Sequence, residues 1–492
     1  MGKKQEYYAL LGLQRSASPE EIRQAYFLAA RRFHPDKNLA PGETEIFLEV
    51  QEAYEVLSNL KRRERYDATL PPEPDRGLFL EHKVLYSRKC LLRLEEPQLI
   101  YIMLDFSIPP AAIQRPAPAM NLCLVLDRST SMQGRNMDVV KATAIQILHK
   151  LKSQDIFSVV AFSDRAEILI SATQGLEMGK QEARIQMLNP SGGTEIFSGL
   201  DLGFNEILHN INRSKVNHII LLTDGRTYGD EENCLSLAQR AAERGVGITG
   251  LGIGSEWNDN FLDKLASITG GSSTYLPHPQ DIQHALLDKF NQLGKTYAEE
   301  TRLEFERQEG VELRYIFRLE PEAGLLTSES PIQFGPMVWD TRLVVLMEFV
   351  IQPEAVHREH LTVFNGTISI AMEDRPNHVE TVPIRLIRPI LRNAVPDPPP
   401  VDIVDALSRL KLYRLQEQAH MEANAGDYIQ ASEHLSRLAT HLLAQGERAL
   451  AKTALMEAEN LQKKKSFSQQ GEKEIKYGTR ALLKSGRIAE EE

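Results

Sequence analysis

Apolar residues recur with different periods in successive stretches of the chain, and each period predicts a different architecture. Ile46, Phe47, Val50, Ala53, Tyr54 and Leu57 fall at three- and four-residue spacing, the signature of an amphipathic helix. Upstream, Ser18-Pro19-Glu20-Glu21 supplies an N-cap, a first-turn Pro and a capping-box Glu for a helix running to about Phe33. Two such helices bury their stripes against each other as an antiparallel hairpin, which makes residues 1–69 a small helical domain. Leu70-Pro71-Pro72-Glu73-Pro74 breaks the pattern, so 70–77 is a linker.

Strand patterns follow, at Lys89 to Leu94 and Leu99 to Ser107, and again at Thr341 to Ile351, Leu361 to Ile370 and Thr381 to Ile387. Between them strands and helices alternate: strand Asn121 to Leu126, helix Met137 to Leu151, strands Ile156 to Phe162 and Glu167 to Ile170, helix Ile196 to Ile211, strand His218 to Leu222, helix Glu232 to Arg244, strand Val246 to Ile253 and helix Ile282 to Leu293. Alternation of this kind predicts a mostly parallel sheet with helices on both faces, and ligands at the carboxyl ends of its strands. The expected fold is therefore multidomain α and β, a doubly wound α/β domain (119–294) inserted in a β-sandwich whose parts are 78–118 and 295–391. Pro396, Pro398, Pro399 and Pro400 stiffen a second linker, 392–401. Residues 402–492 read as a C-terminal helical bundle, with helices near 402–424, 427–444 and 447–464 and a charged tail from Lys463. Its junction Ala425-Gly426-Asp427-Tyr428 is similar to that of tetratricopeptide repeats, over at most one and a half units.

A length of 492 residues fits about three or four domains. A net charge of −11 argues against nucleic acid as the main partner, because phosphate-backbone binders carry a positive excess. The longest apolar runs, Leu99 to Leu104 and Leu122 to Leu126, are far short of the roughly 20 residues of a spanning helix, and Met1 to Glu6 has no apolar signal core or myristoylation pattern. No membrane partner is expected. Cys90, Cys123 and Cys234 are too few and scattered for a disulfide framework or zinc site, so each reads as a small buried apolar residue in a reducing, cytoplasmic setting.

The candidate chemistry lies in three loops. Asp127 follows a buried strand and is succeeded by Ser129 and Ser131; Ser191-Gly192-Gly193-Thr194-Glu195 precedes a helix; Asp224-Gly225 follows the run His218 to Thr223. Their convergence would make an oxygen-only site for a hard cation, Mg2+ or another divalent ion, with ligands about 2.1 Å away. Two carboxylates and three hydroxyls leave such an ion under-coordinated, open to an acidic side chain from a partner. Asp127, Ser129, Ser131, Thr194 and Asp224 resemble the five residues of the metal-ion-dependent adhesion site (MIDAS) of von Willebrand factor A (VWA) domains. That resemblance covers about 119–294 and implies a bound protein ligand with an acidic residue. A phosphatase of the haloacid dehalogenase type also places an Asp after the first strand, but it needs a second Asp two residues on, where Ser129 stands. Gly250-x-Gly252-x-Gly254 comes too late in the sheet for a dinucleotide loop and reads as a strand end closely approached by another backbone. His357-x-x-His360 has helical metal-ligand spacing without a neighbouring ligand motif, and reads as an exposed loop. Lys463-Lys464-Lys465 reads as a solvated helix end.

His34-Pro35-Asp36-Lys37, taken alone, is also a helix stop. Its setting resembles a J-domain of DnaJ-type co-chaperones in order: Tyr7-Tyr8-Ala9-Leu10-Leu11-Gly12-Leu13, the Ser18 cap, Ala25-Tyr26, and Leu57-Ser58-Asn59 through Arg65-Tyr66-Asp67. The resemblance implies that His34, Pro35 and Asp36, with Arg23, Arg31 and Arg32 on the preceding helix, engage a DnaK-type chaperone and trigger its ATPase. Phe27 and Leu28 stand where the family is usually basic, and Ala29 where a larger core residue is common, which would weaken or specialise that attraction. The chain is thus expected to be a non-enzymatic adaptor. The alternative is a VWA scaffold or regulator of an AAA-type (MoxR-like) ATPase complex, with a degenerate J-domain.

Overall fold

The computed structural model describes residues 7–11, 22–23, 25–27, 29–30, 43–59, 61–63, 66, 80–109, 118–175, 177–212, 215–226, 229–298, 300–357, 359–371, 379–393 and 398–483. Two units divide the chain, Met1–Phe79 and Leu80–Glu492. The first holds helices α1 (Tyr7–Leu10) and α2 (Glu43–Leu57), with further helical residues between 22 and 30. Ile22, Val50, Ala53 and Leu57 are buried together with Leu11, and Ala29 packs against them. Tyr26 stacks on Tyr54 with ring centroids 4.0 Å apart, so the earlier helical residues do face α2. The Tyr7 hydroxyl donates to Glu52 at 2.7 Å, and that carboxylate pushes the Tyr7 pKa up to about 12.

In the second unit, strands β1 (Glu81–Tyr86), β2 (Leu91–Leu92) and β3 (Gln98–Ser107) precede the α/β domain. That domain contains β4 (Met120–Asp127), α3 (Arg135–Lys150), β5 (Ile156–Phe162), β6 (Ala166–Thr173), α4 (Met178–Gln186), α5 (Ile196–His209), β7 (Val216–Thr223), α6 (Glu231–Glu243), β8 (Val246–Ile253), α7 (Asp259–Ile268), β9 (Ser273–Leu276) and α8 (Pro279–Leu293). The sheet order is β6-β5-β4-β7-β8-β9, parallel except for the antiparallel β6. Every residue of β4, β5, β7 and β8 is buried. Along β4, Leu122, Leu124 and Leu126 enter one core layer with α3 and α8, while Cys123 and Val125 enter the other with α5, α6 and α7. Each fully buried Leu or Val contributes roughly 1.5–3 kcal/mol relative to exposure, and a one-residue slip would exchange the two layers. Asp127 is therefore fixed at the strand end.

After β10 (Thr296–Ala298), the chain continues through β11 (Glu300–Glu306), β12 (Val311–Glu320), β13 (Gly324–Leu325), β14 (Ile332–Gln333), β15 (Met337–Val338), β16 (Leu343–Ile351), β17 (His360–Ala371) and β18 (Val379–Leu391). Two five-stranded sheets result, β1-β3-β16-β12-β13 and β14-β11-β17-β18-β2. β3 pairs with β16 from Phe106 opposite Leu343 to Gln98 opposite Ile351, across the whole insertion, and Phe349 of one sheet meets Phe364 of the other edge-on at 5.9 Å. The sandwich is thus interrupted by the α/β domain. Strand β2 is shorter than the predicted Lys89 to Leu94, and Cys90 beside it is only half-buried, whereas Cys123 and Cys234 lie in the core.

Helices α9 (Val401–Asn424), α10 (Tyr428–Ala444), α11 (Arg448–Lys464) and α12 (Gln469–Ala481) complete the unit. Ile403, Ala406, Leu410 and Tyr413 of α9 pack on Phe317, Val344 and Leu346 of the first sandwich sheet. Lys463 is exposed and pairs with Glu459, as expected of a solvated end. The tail beyond it is not simply solvated: α12 buries Lys473, Lys476 and Arg480. Residues Gly252 and Gly250 face side chains rather than another backbone, since a Cβ at Gly252 would fall inside the Trp257 indole and one at Gly250 would touch Leu262. His357 ends a short 3-10 turn and His360 begins β17, so the two do not share a helix face. No helix among the described residues is long and apolar enough to cross a membrane.

Candidate functional site

Strand order reverses between β4 and β7, because the chain leaves β4 toward β5 on one side and returns to β7 on the other. A crevice opens at such a switch point beyond the carboxyl ends of the strands. Asp127 closes β4 and Asp224 follows β7, so both carboxylates stand at its mouth. The serine loop is tied to the Gly-rich loop by Thr130 N–H donating to the Gly192 carbonyl at 3.0 Å and Ser191 N–H donating to the Arg128 carbonyl at 2.7 Å. Asp164 holds the Gly-rich loop from behind, accepting from Gly193 N–H at 2.8 Å.

Within this frame the five expected residues come together. One Asp127 oxygen accepts from Ser129 N–H and the other from the Thr223 hydroxyl, both at 2.7 Å. The Ser131 hydroxyl donates to Asp224 at 2.7 Å and lies 3.0 Å from the Ser129 hydroxyl. Thr194 closes on the third loop, where a Cβ at Gly225 would sit 2.7 Å from its hydroxyl oxygen. Three contributors were not anticipated: Thr223, Asp164, and Asn136, which hydrogen-bonds Asp224. Thr223 had a readable signal, since it is the one hydroxyl in the apolar run before Asp224.

Burial pushes the Asp127 carboxyl up to about 6, against hydrogen bonds from Ser129 and Thr223 that favour its ionised form. Burial likewise raises Asp224, opposed by donors on Ser131, Ser129 and Asn136. These named donors are neutral, so they satisfy geometry without supplying countercharge. Among the described residues no cluster of three or more His, Cys, Asp or Glu could hold a metal ion. Any cation at these loops must therefore use hydroxyl oxygens beside the two carboxylates, the donor set of a magnesium-like ion rather than of zinc. The residues fit such an ion: Asp127, Ser129, Ser131, Thr194 and Asp224 would hold it, and Asp127 also fixes the serine loop through Ser129 N–H. A cavity of about 520 Å3 lies elsewhere, lined by Asp263, Arg318, Leu326, Tyr413 and Arg480 among others, and none of the five residues reaches it.

On the first unit, Arg23 is helical and exposed, with its guanidinium 5.8 Å from the centroid of the exposed Phe27 ring. Arg31, Arg32, His34, Pro35, Asp36 and Leu28 lie outside the described residues.

The doubly wound sheet with hydroxyl and carboxylate loops at its switch point is a VWA domain by sequence as well, since the family model for the von Willebrand factor type A domain matches residues 121–288. The chain carries two further modules: the DnaJ domain model matches residues 6–67, and a Sll0103-like C-terminal alpha-helical domain matches 401–485. The protein sll0103 of Synechocystis sp. is 28% identical over 320 residues, 63% of this chain and 75% of that one. DnaJ homolog subfamily B member 12 of Mus musculus is 53% identical over 62 residues, which are 13% of this chain and 16% of that protein. Among solved structures, von Willebrand factor type A from Catenulispora acidiphila superposes with a TM-score of 0.65 at 13% identity, covering 81% of this chain and 96% of that one.

Proposed function

We propose that the chain is a non-enzymatic co-chaperone adaptor, which grips a protein partner through its VWA site and brings a DnaK-type ATPase to it through its DnaJ domain. The observation that carries this reading is the pair of buried carboxylates, Asp127 and Asp224, held by neutral donors around three converging hydroxyls. When bound, a divalent cation such as Mg2+ supplies an electrophilic position that a carboxylate of the partner completes. Thr223 and the Ser129 amide orient Asp127 and favour its ionised form against burial, and Asp164 keeps the Gly-rich loop, with Thr194, against the third loop. His34, Pro35, Asp36 and the basic residues Arg23, Arg31 and Arg32 provide the chaperone contact.

Affinity capture from lysate tests the reading. Asp127→Ala and chelator should each remove the same partners by tenfold or more while DnaK ATPase stimulation persists; His34→Gln should abolish stimulation and leave capture intact. Failure of the two changes to separate the activities would defeat the modular account. The exposed Phe27, at a position where J-domains are usually basic, favours a second reading, a scaffold or regulator of an AAA-type (MoxR-like) ATPase with a degenerate J-domain. Acceleration of DnaK ATP hydrolysis by the intact protein rules that version out.

A further inference from the structure

The loop that carries Asp224 does not end at the crevice. Two residues on, the Arg226 guanidinium Nε donates to the Glu256 carbonyl at 2.9 Å. Glu256 sits in the turn between β8 and α7, and the carbonyls on either side of it are held by a different part of the chain. Lys473 of α12 donates through Nζ to the Ser255 carbonyl at 2.6 Å and also to that of Trp257, while lying 4.4 Å from the Trp257 ring centroid. Three successive carbonyls are thus clamped, the middle one from the metal loop and the outer two from the C-terminal helical domain.

The turn between these clamps is stiff. Trp257 donates its indole N–H to the Gly254 carbonyl at 2.8 Å, and its ring fills the space that Gly252 leaves on β8. Helix α12 is equally anchored. Lys476 and Arg480 pair with Asp263 of α7 at 2.9 and 2.6 Å, and Tyr477 packs on Trp257 and Tyr275. Lys473, Lys476, Tyr477 and Arg480 occupy positions i, i+3, i+4 and i+7, one face of the helix. That face is joined to the Ser255–Trp257 turn through Lys473, and the turn is tied to the Asp224 loop through Arg226.

From these contacts we infer that docking of the C-terminal helical domain regulates the VWA metal site, with Lys473 and Arg226 as positioning residues on either side of the 254–258 turn. The inference rests on the metal-site reading given above. Coupling between two sites is reciprocal, so cation binding must also strengthen the docking of α12.

Calorimetric titration of Mg2+ into the intact protein, with hydrogen exchange on 254–258 and 469–481, tests this. Lys473→Met should weaken Mg2+ binding about five-fold or more, the lower bound of ordinary allosteric coupling. Arg226→Ala should do the same, although removing a positive charge beside a cation site would by electrostatics alone strengthen binding. The double variant should lose no more than the stronger single change, since both act through one turn. Mg2+ should slow exchange in 469–481 of the parent protein and not of Asp127→Ala. Unchanged or tighter Mg2+ binding by both single variants, with exchange in α12 intact, overturns the inference while leaving the metal site standing. Should Lys473→Met release α12 altogether, the Arg226→Ala result and the exchange response of the parent protein still decide. Absence of Mg2+ binding by the parent protein overturns the site and the inference together.

Discussion

Two carboxylates of the same α/β domain, Asp127 buried and Asp263 largely so, are treated in opposite ways. Asp263 on α7 receives two cations, Arg480 through paired contacts of 2.6 and 2.8 Å and Lys476 at 2.9 Å. Burial alone would raise its pKa, but those cations hold the carboxyl well below the usual range. Asp127 is the more deeply buried of the two, yet its named partners are an amide and a hydroxyl, and burial leaves its carboxyl raised to about 6. Removing a carboxylate from water costs several kcal/mol, so the two environments cannot have the same purpose. Asp263 is a closed ionic bond that ties α12 to the domain; the named partners of Asp127 carry no charge, as the proposed cation site requires.

The largest expected effect comes from breaking the closed bond. Asp263→Ala deprives the buried Arg480 of its carboxylate partner, while Lys476 keeps Asp259, and should cost about 3 kcal/mol in denaturant unfolding of the Leu80–Glu492 unit. In chelator, Asp127→Ala should cost clearly less. Equal losses would mean that Asp127 is a structural bond too, and the contrast would collapse.

Acidity separates the two carboxylates next. Asp127 is raised in the folded state from 3.8 to about 6, so the native protein holds that proton more tightly than the unfolded chain. Its contribution to stability is fully present below the unfolded value and lost as pH rises through about 6. A shift of that size corresponds to at most about 3 kcal/mol. Chelated protein should therefore lose stability between about pH 4 and 7 relative to Asp127→Ala, whereas Asp263, whose folded pKa is depressed, contributes above its unfolded value and loses that contribution only in stronger acid. A chelated protein whose stability relative to Asp127→Ala is flat across this range would contradict the under-compensated site. The smallest effect belongs to Lys463→Ala: its pair with Glu459 is exposed and helical, and unfolding should shift by only about 0.3–0.5 kcal/mol.

The same contrast explains what could be read in advance. Strands β4 and β7 are apolar runs that end in Asp127 and in Thr223-Asp224, and the Gly-rich loop sits beside Thr194, so the site residues advertise themselves locally. The sandwich was legible for a related reason, since its strands keep β-type patterning on both sides of the insertion. Helix α12 was not. Its buried face is built of Lys473, Lys476, Thr479 and Arg480 around Ile475, and the acids that neutralise it lie more than 200 residues earlier. Apolar periodicity has no means of registering a face that is buried by ion pairing. Helices α4 and α7 and the four-residue β9 were missed because each is short. Arg31, Arg32, His34, Pro35 and Asp36 lie outside the described residues, so their reading still rests on the motif and the DnaJ family match.

The most direct test of the central claim is the stoichiometry of divalent-ion binding, measured by equilibrium dialysis of Mn2+ against the intact protein at neutral pH. The parent protein should bind a single ion per chain at this site, and Asp127→Ala and Asp224→Ala should each lose it. Absence of binding by the parent protein, or undiminished binding by both variants, would contradict the account.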